Sequence, residues 1–230
     1  MEPEEFDKFA YEYHDTHKKN IALSGESPEY FHRYKILELS KIIKKKGCSS
    51  KSILDFGSGI GNSIPYIKEF FPDSELICAD VSSKSLALAK SRYSDDAKML
   101  LIENNHIELP PSYCDVIFTA CVFHHIAESQ HIYWLQQLKR VIKPGGVCVL
   151  FEHNPLNPLT VHAVNTCPFD VNAKLQRASI MQKRFVEAGW HRPQIRYHVF
   201  FPGFLSFARK YERFLNGVPV GAQYSLTVTA

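Results

Sequence analysis

The run Asp55-Phe56-Gly57-Ser58-Gly59-Ile60-Gly61-Asn62 sets a carboxylate two residues ahead of three alternating glycines. Glycines so spaced let the backbone take positive φ and let a ligand press on bare peptide. A helix starting beyond the turn adds unpaired N–H groups. Further along, Asp80 closes the apolar run Leu76-Ile77-Cys78-Ala79, with Val81 beside it. A carboxylate at the tip of such a strand can accept hydrogen bonds from both hydroxyls of a ribose, and it would repel a phosphate. Three more groups follow in order: Asn104-Asn105-His106, then Ala120-Cys121 with His124-His125, then Glu152-His153. Imidazole is the side chain best suited to proton transfer near neutral pH.

The elements that must hold these groups read as alternating strands and helices. Ile53, Leu54 and Phe56 form a short apolar run bounded by turn residues, hence a buried strand. A helix is expected from about Asn62 to Phe71, with Pro65 early enough to be tolerated. Leu76–Ala79 is the second strand. Ser82 caps a helix that turns Leu86, Ala89 and Tyr93 inward. Met99–Ile102 and Cys114–Ala120 are strands three and four. A helix carrying Ile132, Leu135, Leu138, Val141 and Ile142 on one face stops at Lys143-Pro144-Gly145-Gly146, and Val147–Phe151 is strand five. Upstream, Ser27-Pro28-Glu29 opens a helix that Gly47 closes, with Lys44, Lys45 and Lys46 at the negative end of its dipole. Such alternation predicts an α/β fold.

Beyond strand five, residues 152–172 read as an irregular polar loop at the carboxyl edge of the sheet, where open α/β sheets bind ligands. It is expected to wall an acceptor site, with Glu152 and His153 nearest the chemistry. A helix over 173–188, a strand Ile195–Phe201 and a final strand Gln223–Thr229 complete the chain. An inserted amphipathic helix over 203–216, with Phe204, Phe207, Tyr211 and Phe214 on one face, is expected to pack on its own sheet.

At 230 residues, 45% hydrophobic and 22% charged, the chain suits one globular domain with additions. A net charge of +3 makes no electrostatic case for a stable nucleic-acid complex. No apolar run reaches membrane-spanning length. The acidic start Met1-Glu2-Pro3-Glu4-Glu5 has no signal core, so a cytoplasmic protein is expected. The six cysteines, at 48, 78, 114, 121, 148 and 167, contain no C-x-x-C pair and are read as reduced thiols. Cys121, His124 and His125 offer metal-ligand atoms, but a zinc site wants a fourth group. None is adjacent, and no metal is expected.

The dinucleotide fingerprint G-x-G-x-x-G fails here because Asn62 stands at its third glycine, which disfavours a nicotinamide-dependent oxidoreductase. Asp55-x-Gly57-x-Gly59-x-Gly61 instead resembles the class I S-adenosylmethionine (SAM) methyltransferases. The strand running into Phe123-His124-His125 and the helix–Lys-Pro-Gly-Gly–strand passage are similar to the small-molecule branch of that family. The resemblance covers about residues 50–152. It implies a Rossmann-like, mostly parallel seven-stranded sheet with an antiparallel last strand, and SAM as cofactor.

Carried over residue by residue, the resemblance puts Asp55, Gly57, Ser58, Gly59, Gly61 and Asn62 around the amino-acid end of SAM. Asp80 and Val81 take the ribose side, and Asn104, Asn105 and His106 the adenine side, where the family usually carries an aspartate. Ala120 and Cys121 form a pocket wall. Residues 1–47 are an arm and helix covering the pocket, with Tyr11 or Tyr13 over the cofactor, and 48–230 are the methyltransferase domain. No Asn-Pro-Pro-Tyr-like box follows strand four, and Ala120 replaces the proline of the cytosine-C5 enzymes. The implied reaction is methyl transfer to a small-molecule acceptor, a hydroxyl first, with His153 and then His125 as base and Glu152 as orienter. A neutral amine acceptor would need no base. RNA or protein methylation, or a SAM-binding partner without turnover, stand as alternatives, and nothing in the sequence sets an oligomeric state.

Overall fold

The computed structural model describes residues 24–168 and 170–230, so Tyr11 and Tyr13 lie outside the described residues. The Ser27 side chain accepts the Tyr30 N–H and Pro28 fills the first turn, opening α1 (Pro28–Lys46). Gly47, at φ 60°, closes it, and three lysines stand in its last turn as expected. The buried side chains of α1, including Ile36, Leu39 and Ile43, meet Ile53, Phe118 and Phe151 of the sheet. Each such aliphatic side chain contributes about 1.5–3 kcal/mol when fully buried.

The strands are β1 (Ser52–Phe56), β2 (Glu75–Asp80), β3 (Lys98–Leu101), β4 (Cys114–Ala120), β5 (Ile142–His153), β6 (His191–His198) and β7 (Gln223–Thr229). They form one seven-stranded sheet in the order β3-β2-β1-β4-β5-β7-β6. β3 through β5 run parallel, and β7 is antiparallel to both β5 and β6. This is the doubly wound, Rossmann-like architecture expected. The helices after α1 are α2 (Ile64–Phe70), α3 (Ser83–Tyr93), α4 (His131–Val141), α5 (Pro158–Asn165) and α6 (Ala178–Glu187). Side-chain alternation along β1 sends Leu54 and Phe56 to one face, with Trp134, Met181 and Phe185, and Ile53 to the other, with α1 and α2. The strand order reverses between β1 and β4, so their carboxyl ends open the crevice where such sheets take ligands.

Five expectations need correction. α2 starts at Ile64 and not Asn62, because the glycine turn continues: Gly61 N–H donates to Ser58 O and Ile64 N–H to Gly61 O. Lys143–Gly146 does not separate helix from strand. β5 leaves α4 directly, and the extra residues bulge against β4 between Cys114 and Val116. Gly145 N–H and Gly146 O there pair with Ala230, a partner far away in sequence. Residues 152–172 are not wholly irregular: Asn157 caps α5, with Pro158 in its first turn. α6 begins only at Ala178, and β6 ends at His198, where Val199 turns the chain at φ 59°.

The fifth correction concerns 203–216. Residues Gly203–Phe214 form 3-10 turns kinked at Leu205, not one amphipathic α-helix. Phe204, Phe207, Tyr211 and Phe214 are exposed rather than packed on the sheet. The segment is anchored by polar groups instead. Glu212 Oε1 accepts the Phe200 and Phe201 N–H groups, and Arg209 pairs with Glu26 at 2.6 Å while lying over the Tyr30 ring. No disulfide joins the cysteines. Among the described residues, no helix is long and apolar enough to cross a membrane.

Candidate active site

The glycine turn leaves β1 with Gly57 N–H on Ala79 O at 2.8 Å. Gly57 has φ 77°, and a Cβ there would sit 2.3 Å from Val122 Cγ2. Gly59 has φ 53° with nothing within 4 Å of its missing Cβ, so bare backbone faces an open space. Its N–H donates to Asp80 Oδ2 at 2.8 Å, and Ser82 N–H donates to Asp80 Oδ1 at 2.9 Å. Asp80 is thus held rigidly at the tip of β2, with lone pairs to spare for hydroxyl donors.

Asp55 lies beneath this turn and is buried. Its Oδ2 has no hydrogen-bond partner among the described residues. Burial, and then the nearby Asp80 carboxylate, push its pKa up to about 7. A buried carboxylate oxygen left open beside a bare glycine backbone suits a cationic group, and the α-ammonium of SAM is such a group. The residues present therefore fit the cofactor. Asn104 and Asn105, at φ 51° and 54°, make the exposed corner of a tight turn closed by His106 N–H on Glu103 O. Asparagine tolerates that conformation, which accounts for the pair at this corner. Val81, Asn62 and Ala120 stand half-buried around the same crevice edge.

The tips of β4 and β5 build a second compartment against the first, since Val122 abuts Gly57. Glu152, at the end of β5, is 3% exposed and fully engaged. Its Oε1 accepts the Val122 and Phe123 N–H groups at 2.9 and 2.7 Å. Its Oε2 lies 2.6 Å from His124 Nδ1. Burial would raise the Glu152 pKa, but His124 and the Phe123 N–H hold it at about 2. The other face of His124 meets Asp170, with Nε2 to Oδ1 at 3.6 Å, and His125 Nε2 reaches the same oxygen at 3.3 Å. Lys174 N–H donates to His124 O at 2.8 Å, which fastens the loop carrying Asp170 over the histidines.

Burial lowers the pKa of an imidazole, yet the Glu152 and Asp170 carboxylates hold His124 well above its usual value. His125 is pushed down by burial and by the neighbouring His124. Burial opposes ionisation of Asp170 too, but the two imidazoles keep it below the usual carboxylate range. His153 lies beside His124, ring centroids 5.3 Å apart, and pairs with Cys121. Lys35, a buried cation on α1, reaches Cys121 Sγ at 3.4 Å. Burial alone would raise the Cys121 thiol, but His153 and Lys35 bring it down to about 6.

The structure thus brings together Cys121, His125, Glu152 and His153, all named from the sequence. Glu152 orients His124 rather than His153. The sequence reading missed Lys35, His124 as the hub, and Asp170. Lys35 gave one signal, a lone charge beside the apolar positions of α1. Asp170 gave none. Asn154 and Asn157, expected in an acceptor wall, instead staple the loop before β7: Asn154 Nδ2 donates to Pro219 O and Gly221 O, and Asn157 Nδ2 to Val220 O.

Residues 54–150 match the family described as methyltransferase domain. The chain is 29% identical over 108 residues to a demethylmenaquinone methyltransferase from Thermus thermophilus, covering 46% of this chain and 48% of that protein. It is 27% identical over 99 residues to a malonyl-[acyl-carrier protein] O-methyltransferase from Marinomonas sp., covering 42% and 36%. The chain thus spans about half the length, or less, of these curated relatives. Among solved structures, a SAM-dependent methyltransferase from Thermotoga maritima, described as a possible histamine N-methyltransferase, superposes with TM-score 0.68. The identity is 15%, with 99% of this chain and 98% of that one covered. Fold and matched segment together define a Rossmann-like methyltransferase-domain protein, of the class whose cofactor is SAM.

Proposed function

We propose that this chain transfers the methyl group of SAM to a hydroxyl oxygen of a small-molecule acceptor held between the tips of β4 and β5. The observation that carries this reading is the contact of the two compartments. Val122 packs on Gly57, so the imidazole-lined basin opens directly beside the glycine turn. Asp55, Ser58, Gly59, Gly61 and Asn62 would hold the amino-acid end of SAM, Asp80 and Val81 the ribose, and Asn104, Asn105 and His106 the adenine side. Ala120 and Cys121 would line the wall, with α1 over it through Lys35.

SAM supplies a methyl group already activated by its sulfonium, so the protein needs only to orient the acceptor and accept a proton. As the acceptor oxygen takes the methyl, its proton passes to a ring nitrogen of His153, and the C–S electron pair stays on sulfur as a neutral thioether. His125 is the second candidate base. Glu152 fixes the geometry through His124 and is a positioning residue. Three imidazoles around two carboxylates exceed what a neutral amine acceptor requires, which favours the hydroxyl.

The test begins with calorimetric titration of SAM into the wild type and Asp80→Ala, where the substitution is expected to weaken binding. An acceptor screen with methyl-labelled SAM then assigns the methylated atom by NMR. His153→Ala is expected to lower kcat by about 10²–10⁴-fold with SAM affinity unchanged. A methyl found on nitrogen, or full turnover without His153, would overturn the reading.

A further inference from the structure

We propose that His124, His125 and Asp170 bind a zinc-class divalent cation on the acceptor side of this basin. The inference rests on reading that basin as the acceptor compartment. His124 Nε2, His125 Nε2 and one Asp170 oxygen lie within 4.8 Å of one another. A metal bonded at 2.0–2.1 Å to tetrahedral ligands separates those ligand atoms by about 3.3 Å. The observed separations from Asp170 Oδ1 are 3.3 Å to His125 and 3.6 Å to His124. Two imidazoles and one carboxylate are also the donor set borderline transition metals select.

The surroundings match the ligands. A metal-bound histidine commonly places its other ring nitrogen on a carboxylate, which fixes the ring and raises its basicity. Glu152 Oε2 does this for His124 at 2.6 Å, and the two backbone N–H groups on Oε1 hold Glu152 itself. The sequence lacks a third ligand near the two histidines. The fold supplies one by folding the 170–174 loop over them, fastened through Lys174 N–H to His124 O. Three protein ligands leave a position open, as in catalytic rather than structural sites. A cation there would polarise the acceptor oxygen as a Lewis acid. It would occupy His125 and leave His153 as the base.

The same three groups can also share a proton, and metal titration separates the two cases. The 230-residue chain, stripped with a chelator, is titrated with Zn²⁺ and in parallel with Co²⁺, without SAM or acceptor. About one equivalent should bind with Kd of about 1 μM or tighter, that is, near −8 kcal/mol. The cobalt form should show visible ligand-field bands and no thiolate charge-transfer band. Asp170→Asn and His125→Gln should each weaken binding at least tenfold while keeping wild-type affinity for SAM, which reports an intact fold. Glu152→Gln should weaken it by about 10–100-fold. Absence of saturable binding, or equal binding by the two ligand variants, overturns the site. A thiolate band overturns this ligand set in favour of Cys121. Because SAM binding is read separately, failure here leaves the methyl-transfer reading intact.

Discussion

Glu152 and His124 form a closed pair: one carboxylate oxygen sits 2.6 Å from the imidazole while the other receives two amide N–H groups from the turn that carries the same histidine. The pair therefore sets the shape of the turn as well as the direction of the ring. Glu152→Gln keeps the volume but removes the charge and cannot accept all three donors equally. Breaking one side of a buried, paired charge typically costs about 3–5 kcal/mol. A drop in Tm of several degrees is expected by calorimetry, together with a fall in turnover. An unchanged Tm would show that the pair does not hold the turn.

Asp55 ties cofactor binding to pH. Its folded pKa, pushed up to about 7 by burial and by Asp80, lies above the ordinary carboxylate value. The folded state therefore holds a proton that the unfolded state releases. Its carboxyl costs little at low pH and destabilises the empty protein increasingly as pH rises through about 7. Without SAM, the wild type should lose Tm across that window, and Asp55→Asn should lose less. A bound ammonium reverses the preference, so SAM affinity of the wild type should rise as pH climbs through about 7. Thermal shift and calorimetry across pH read both. A flat affinity profile would separate Asp55 from the ammonium.

Cys121 should behave as a thiolate near neutral pH. Burial works against this, but His153 and Lys35 lower the thiol to about 6. Alkylation by iodoacetamide, mapped by mass spectrometry, should stay fast down to pH about 6, and His153→Ala should move the midpoint upward. SAM should protect the thiol if Cys121 lines the cofactor wall. Modification at an equal rate with and without SAM would remove it from that wall.

Two glycines separate fold from ligand. Gly57→Ala drives a methyl group into Val122 at 2.3 Å, so it should lower both Tm and SAM affinity, and Val122→Ala should restore part of the Tm. Gly59→Ala meets open space, leaving a left-handed backbone cost of about 1–2 kcal/mol. Its larger effect should fall on SAM, at least tenfold in Kd. If Gly59→Ala binds SAM normally, the cofactor does not lie against that backbone.

The cofactor half was readable because its signals are local. Asp55, the three glycines and Asp80 are each a few residues from the strand end that positions them, and Ser27, Ser82 and Gly47 punctuate helices as their side chains dictate. What escaped depends on partners distant in the chain. Lys143–Gly146 reads as a stop, yet it becomes strand because Ala230 pairs with it. Asp170 carries no local pattern and acquires a role only when the loop folds over His124. The aromatic stripe of 203–214 reads as a buried face. Glu212 and Arg209 instead anchor that segment by polar contacts and leave the rings outward.

Residues 54–150 match the shared methyltransferase domain, and that segment ends two positions before Glu152. Glu152 is therefore the hinge pin between an inherited half and a private one. Its carboxylate reaches back to hold the turn after β4, while the strand it ends runs on into α5 and the Asp170 loop. Such a join lets evolution exchange what lies downstream while the donor pocket upstream stays as it was. A chimera that keeps residues 1–152 and takes its remainder from a relative should then inherit its cofactor from one parent and its choice of acceptor from the other.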